Sequence, residues 1–168
     1  ELCKLYSGVS WHHKIIVIDN RFISERVNQI RNWNIEFIQG DILDKNLIKK
    51  YCEDADVVHH LAGVTDVPRT KSEASLAQDE KIKEVGEKGT QNILDVISNK
   101  CKIIFPSTHV VYEGIDEVKK NIQENEKTKP VLSYSTSKAI NEDQLKKSGK
   151  NYIILRLGSV YGYSTDSM

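Results

Sequence analysis

Tyr134 and Lys138 stand four residues apart in the run Tyr-Ser-Thr-Ser-Lys, a spacing that puts a phenol beside an ammonium on one helix face. The stretch from Ser133 to Lys147 has helical spacing, so both side chains are expected to project together. A nearby cation favours the phenolate and would lower the tyrosine pKa from its ordinary value of about 10. A phenol tuned in that way is a general acid/base suited to the hydroxyl of a sugar or alcohol. The same pair also describes an ordinary solvated helix surface, and its neighbours decide between the two.

Upstream, the apolar run Ile103 to Phe105 reads as a buried strand, and Pro106 is expected to stop it. Ser107 and Thr108 then fall at the carboxyl end of that strand, where open α/β sheets bind ligands. Ile15 to Ile18 is a second apolar strand, followed by Asp19 and Asn20. In a dinucleotide fold a carboxylate there takes the ribose hydroxyls, about twenty residues after a glycine-rich phosphate loop. Counting back from Asp19 reaches Glu1, and Gly8 alone cannot make such a loop. Glu1 to Trp11 therefore reads as a crossover helix whose glycine turn would precede it. Asp19-Asn20 is equally a good strand-end turn.

The remaining elements alternate. Ile35 to Ile38 is a short strand before Gly40-Asp41-Ile42, and Leu43 to Tyr51 has helical spacing. Ala55 to Gly63 holds a strand and a turn of small residues. Val64 to Ala77, with Pro68, reads as a loop. Gln78 to Asn99 is helical, with Ile82, Val85, Gly89, Ile93 and Val96 on one stripe. Tyr152 to Gly162 repeats the pattern of apolar strand and polar turn. Strands are expected near 14–18, 35–38, 56–60, 102–106 and 152–156, which makes a doubly wound parallel α/β sheet. His59 and His60 are adjacent on a strand and point to opposite faces. They are expected to be structural, and no metal site is expected.

Together these segments resemble the extended short-chain dehydrogenase/reductase family, the NAD-dependent sugar epimerases and dehydratases, through nearly the whole chain. The resemblance implies a Rossmann-like NAD-binding fold. It assigns Thr108 to hydrogen-bond the reacting substrate oxygen, Tyr134 to take its proton, and Lys138 to lower the tyrosine pKa and bind the nicotinamide ribose. The implied cofactor contacts are Asp19, Asn20, Asp41, Ile42, Leu61, Ala62, Gly63, Ser107, Tyr134, Lys138 and Leu157. Asp41-Ile42 would hold the adenine, through the carboxylate, the backbone and the apolar side chain. Gly89-Thr90, with Asn92, resembles the crossover helix that packs closely on the sheet.

Several positions depart from the family pattern. Gly86 stands where an asparagine that orders the active site is usual, and a mid-helix glycine costs about 1 kcal/mol against alanine. Glu113 replaces the glycine after Val-Tyr, and Ser159 replaces an asparagine before Val-Tyr-Gly. His109-Val110 follows Thr108 where sugar 4,6-dehydratases have Asp-Glu, which disfavours water elimination. The expected function is a nucleotide-sugar epimerase, with a one-way sugar or alcohol dehydrogenase or a non-catalytic NAD-binding redox sensor as alternatives. The expected family order puts a further strand at the sheet centre, between those at 14–18 and 56–60, and a substrate domain after 168. Residues 1–168 thus read as a single partial dinucleotide-binding domain, incomplete at both ends.

Composition narrows the classes further. In 168 residues, 24 Lys and Arg balance 24 Asp and Glu, so no net basic field draws the chain to nucleic acid. With 39% hydrophobic residues it can bury a core, and it has no apolar run of membrane-spanning length. Glu117 to Lys129 carries both charge signs and reads as a solvated loop. Cys3, Cys52 and Cys101 have no Cys-x-x-Cys spacing and read as reduced thiols of a cytoplasmic protein. A homodimer is the expected assembly.

Overall fold

A computed structural model describes residues 13–64, 76–117, 119–159 and 161. The expectations for Glu1 to Trp11, Cys3, Pro68 and Gly162 lie outside the described residues. Five strands form, β1 (Ile16–Asp19), β2 (Glu36–Gln39), β3 (Val57–His59), β4 (Lys102–Thr108) and β5 (Asn151–Leu157). Every ladder is parallel, in the orders β1-β2 and β3-β4-β5. Among the described residues β1 pairs only with β2 and β3 only with β4, so each keeps one edge without a strand partner.

Helix α1 (Ser24–Asn32) crosses from β1 to β2, and α2 (Lys45–Cys52) from β2 to β3. The Asp44 carboxylate caps α2, accepting from Asn46 N at 3.0 Å and Leu47 N at 3.1 Å, which satisfies N–H groups that have no intrahelical partner. After α1, Asn34 takes φ 58°, and after α5 (Ser133–Lys147) Gly149 takes φ 68°. Both are left-handed helix terminators of the kind Asn and Gly supply at least cost.

Between β3 and β4 the long helical run is three pieces: α3 (Leu76–Lys83), a π-helical turn (Glu84–Lys88) and α4 (Gly89–Val96). The stripe turns inward as its spacing predicts, with Ile82, Gly89 and Ile93 buried and Val85 and Val96 half-buried. Gly89 is a packing requirement: a Cβ there would lie 2.8 Å from Ile42 Cγ2. The core gathers Ile42, Ile48, Ile93, Leu94, Ile97, Cys101, Ile103, Phe105 and Leu145, so the apolar faces of α2, α4 and α5 close over β4. Cys101 is buried and Cys52 half-buried, both as free thiols.

One expectation is corrected. Pro106 does not end its strand; β4 continues through it to Thr108, with Pro106 opposite Leu155 of β5. The reason lies in how the backbone groups of a parallel strand alternate between its two neighbours. Lys102 N donates to Asp56 O, and Ile104 O accepts from His60 N, so the even-numbered residues of β4 face β3. The β3 register ends at His59 opposite Ile104. Pro106 lies one step further on, where the N–H that it lacks would have no strand to meet.

Candidate active site at the carboxyl ends of the strands

Strand β4 delivers Thr108 at its end, 7% exposed, and the chain turns at once into a 3-10 turn over His109–Tyr112. Thr108 Oγ1 accepts from Val110 N at 3.2 Å. With a lone pair engaged, the hydroxyl keeps its proton to donate to a substrate oxygen. His109, exposed, places Nδ1 3.1 Å from Leu157 O at the end of β5. A carbonyl only accepts, so this contact fixes the proton on Nδ1.

Helix α5 begins and ends as expected, at Ser133 and Lys147. Lys138 Nζ donates to Pro106 O at 2.9 Å, and sits 4.5 Å from the Phe105 ring centroid and 5.9 Å from that of Tyr134. Tyr134 and Lys138 therefore share a face, and the lysine ties that face to β4 two residues before Thr108. The electrostatics differ from expectation. Burial pushes the Tyr134 phenol up rather than down, and burial pushes the Lys138 ammonium down to about 8. Desolvation disfavours the charged form of each, and the ammonium has a carbonyl, not the phenol, as its hydrogen-bond partner.

Behind the site lies a buried network absent from the sequence expectations. Glu142, 1% exposed, accepts from Arg156 Nε at 2.9 Å and Nη2 at 2.6 Å, a two-pronged pairing. Ser107 Oγ donates to the same carboxylate at 2.7 Å, and Arg156 Nη1 reaches the Tyr112 hydroxyl. Burial alone would raise the Glu142 pKa; the bonds from Arg156 and Ser107 outweigh it and hold the carboxyl below its usual range. The Ser107 hydroxyl thus directs its proton inward, to Glu142. The signal for the pair was legible only as Glu142 four residues after Lys138, one helix turn on.

Other expected residues divide in the same way. Asp19 is exposed at the end of β1, and its Oδ1 accepts from Arg21 N at 2.8 Å; Asn20 beside it takes a weak 3.5 Å bond from Gln39 Nε2 on its carbonyl. Asp41 is exposed and folds its carboxylate onto Leu43 N at 2.9 Å. The Ile42 side chain belongs to the core against Gly89, so its backbone alone, and not its side chain, is left for a ring. Leu61, Ala62 and Gly63 are exposed after β3, and a Cβ on Gly63 would meet nothing within 4 Å. Leu157 is 43% exposed.

His59 is exposed, whereas His60 is buried with Nε2 2.8 Å from Thr90 Oγ1. Burial, aided by the charge on Lys138, pushes the His60 pKa down to about 3, so the ring is a neutral structural element. Among the described residues no cluster of three or more His, Cys, Asp or Glu is arranged to hold a metal ion. No helix among them is long and apolar enough to cross a membrane.

Parallel ladders with exposed acidic and small residues at their carboxyl ends, crossed by helices, define a nucleotide-binding α/β fold. Residues 2–168 match the NAD dependent epimerase/dehydratase family, and the chain belongs to that family. It is similar to the CDP-paratose 2-epimerase of Salmonella typhi, 33% identical over 154 residues covering 77% of this chain and 44% of that one. The crystal structure of a UDP-glucose 4-epimerase from Brucella ovis in complex with NAD superposes with TM-score 0.70 at 27% identity, over 92% of this chain and 46% of that one. A UDP-glucose 4-epimerase from Thermotoga maritima shares the fold, with TM-score 0.74 and 24% identity over 92% and 50% of the two chains. The chain spans half or less of the length of each of these proteins.

Proposed function

We propose that the chain forms the NAD-binding and catalytic part of a nucleotide-sugar epimerase. The observation that carries the reading is the placement of Lys138 between the Tyr134 ring and the backbone of β4 just before Thr108. Thr108 would donate its free hydroxyl proton to the substrate oxygen that becomes a carbonyl. Tyr134 would accept the proton of that hydroxyl and later return it. Lys138, still largely a cation at neutral pH with a value of about 8, would stabilise the Tyr134 phenolate that must be in place before it takes that proton.

The residues present fit the dinucleotide. Asp19 would take the ribose diol, Asp41 and the Ile42 backbone the adenine, and the open turn Leu61–Gly63 would let the backbone approach the cofactor. When bound, NAD takes up a hydride from the sugar and gives it back, the chemistry that the cofactor rather than the protein supplies. Val110 and a His109 ring bonded to Leu157 O follow Thr108, so no acid–base pair of carboxylates stands there for removing water. That favours epimerisation over dehydration.

The decisive experiment offers a panel of nucleotide sugars to the full-length protein with NAD and follows both the sugar and the absorbance of the reduced cofactor. The expected result is an epimer with no net reduction of NAD. Stoichiometric reduced cofactor would replace this reading with a one-way dehydrogenase. Firm NAD binding without turnover of any sugar would replace it with a non-catalytic sensor.

A further inference from the structure

Helix α5 carries Tyr134 and Lys138, yet the residue at its N-cap position, Leu132, has no side chain able to cap it. Helix starts leave backbone N–H groups without intrahelical partners. Here the partner comes from nineteen residues upstream. Glu113 Oε1 accepts from Val131 N at 2.8 Å and from Leu132 N at 2.7 Å, and takes the Ser135 hydroxyl as a third contact. In a capping box, a glutamate at the third helical position reaches back to the N-cap N–H. That position is Ser135, and Glu113 performs the task from another segment. The first turn of α5 has no acidic residue of its own, so Glu113 also brings the negative charge that a helix N-terminus favours.

The placement of Glu113 is itself fixed. Gly114 N donates to Lys129 O and Lys129 N to Val111 O, each at 2.9 Å. A Cβ on Gly114 would come within 2.5 Å of Lys129 O, so a residue without a side chain is required for these two segments to approach. Upstream, the 3-10 turn runs without a break from Thr108 to Tyr112. Glu113 is therefore the point at which the chain leaving Thr108 grips the helix turn bearing Tyr134.

We propose that Glu113 is a positioning residue, a cap in trans that sets the first turn of α5 against the end of β4 and so fixes Tyr134 relative to Thr108. This rests on the reading that those two residues share the chemistry. Loss of the cap lets the first turn fray and drift while the cofactor contacts of β1, β2 and β3 stay in place. Its effect should therefore fall on turnover rather than on NAD affinity, since small misplacements of reacting groups cost up to about 100-fold.

The test compares wild type, Glu113→Ala and Glu113→Gln in the full-length protein by steady-state kinetics, NAD titration and amide hydrogen exchange. Glu113→Ala is expected to lower kcat about 10- to 100-fold, with KM and the Kd for NAD within about threefold, and to speed exchange at Val131 and Leu132. Glu113→Gln keeps an acceptor oxygen and is expected to recover most of kcat and most of the exchange protection. Should Glu113→Ala not fold, Glu113→Asp, whose carboxylate is one methylene short, serves in its place with the same expected pattern. Unchanged exchange at both amides, or kcat within twofold of wild type, overturns the proposal. A wild-type protein that turns over no nucleotide sugar would instead sink the functional reading, and the two failures are distinguished by the wild-type assay alone.

Discussion

The ammonium of Lys138 and the carbonyl of Pro106 meet at 2.9 Å across 32 residues of sequence. Each solves a problem for the other. The Pro106 carbonyl faces the side of β4 where β3 has already ended, so no strand N–H reaches it, and this half-buried acceptor needs a donor from elsewhere. The ammonium is largely removed from water and has no carboxylate beside it, which is why burial brings it down to about 8. The strand end and the site lysine are held by one bond.

That depression has a definite sign in stability. Between about pH 8 and its ordinary value of about 10.4, the unfolded chain holds the Lys138 proton while the folded chain has released it. Stability contributed by this residue therefore rises with pH through that window. Urea midpoints of wild type measured against Lys138→Met should shift in favour of wild type as pH increases from 7.5 to 10 (roughly the span of the two pKa values). A flat difference would show that the ammonium is not desolvated.

Asp19 is the residue expected to set cofactor choice. Its exposed carboxylate would accept hydrogen bonds from a ribose diol and repel a 2′-phosphate, so NAD is expected to bind more tightly than NADP. The Arg21 side chain, two residues on, would temper that repulsion. Isothermal titration of the full-length protein with both dinucleotides decides it, and tighter NADP binding would overturn the assignment. Asp19→Ser should narrow the gap.

Glu142 and Arg156 should behave as one unit. Removing Arg156 strips the buried Glu142 carboxylate of its two-pronged partner and leaves the Lys146 ammonium at 3.2 Å as its ion-pair partner. Removing Glu142 leaves the half-buried Arg156 without this carboxylate, and either loss is up to about 3–5 kcal/mol. Replacing both with apolar residues of similar size removes the mismatch. Chemical denaturation of Glu142→Leu, Arg156→Met and the double variant is expected to show the double variant more stable than the sum of the single losses predicts. Additive losses would mean that the network contributes no coupling. The Glu142 carboxyl is held low by Arg156 and Ser107, so its contribution is present at neutral pH and lost as acid protonates it.

Gly86 interrupts the long helix with a π turn, a feature common at functional sites. Asn141 Nδ2 donates to Gly86 O at 3.0 Å and Gln144 Nε2 to Glu87 O at 3.0 Å, so α5 holds the bulge open. A Cβ at position 86 would collide with Ser137 Oγ, whereas Ser137 Cβ lies 3.6 Å away. Gly86→Ala should therefore destabilise by about 1–3 kcal/mol, and Ser137→Ala in the same chain should recover much of it. Thermal or urea unfolding of the four proteins in that cycle measures the coupling, and a cycle without coupling would place the strain elsewhere.

The elements legible from pattern are those with a continuously apolar face: the strands around Ile16–Ile18 and Ile103–Phe105 and the stripe Ile82–Val96. Helix α5 also falls at its expected bounds, although the side chains it buries are Ser135, Ser137, Asn141, Glu142 and Leu145, only the last of them apolar. Pattern failed where a rule acts through a neighbour not visible locally. Pro106 is tolerated because β3 stops short, and helix α1 buries only Val27 among its nine residues, so its pattern is faint. Within the site, Thr108, Tyr134 and Lys138 were legible as types and spacings. The inward turn of Ser107 and Ile42 was not, since it depends on Glu142 and Gly89 arriving from distant segments. Spacing placed the phenol beside the ammonium, but the direction of their pKa shifts depends on burial, which spacing does not report.

The ladders also differ in how much chain each must close. Ile16 opposite Glu36 closes a loop of roughly 20 residues, whereas Val57 opposite Lys102 and Lys102 opposite Asn151 each close one of roughly 45–50. Closure entropy grows with loop length, and non-local pairings set the pace of folding. The β1-α1-β2 unit with Asp19 can assemble early from local contacts, while Thr108, Tyr134 and Lys138 sit on the elements that wait longest for their partners. A folding chain would thus set the carboxylate proposed to meet the cofactor well before it brings together the three residues proposed to carry the chemistry.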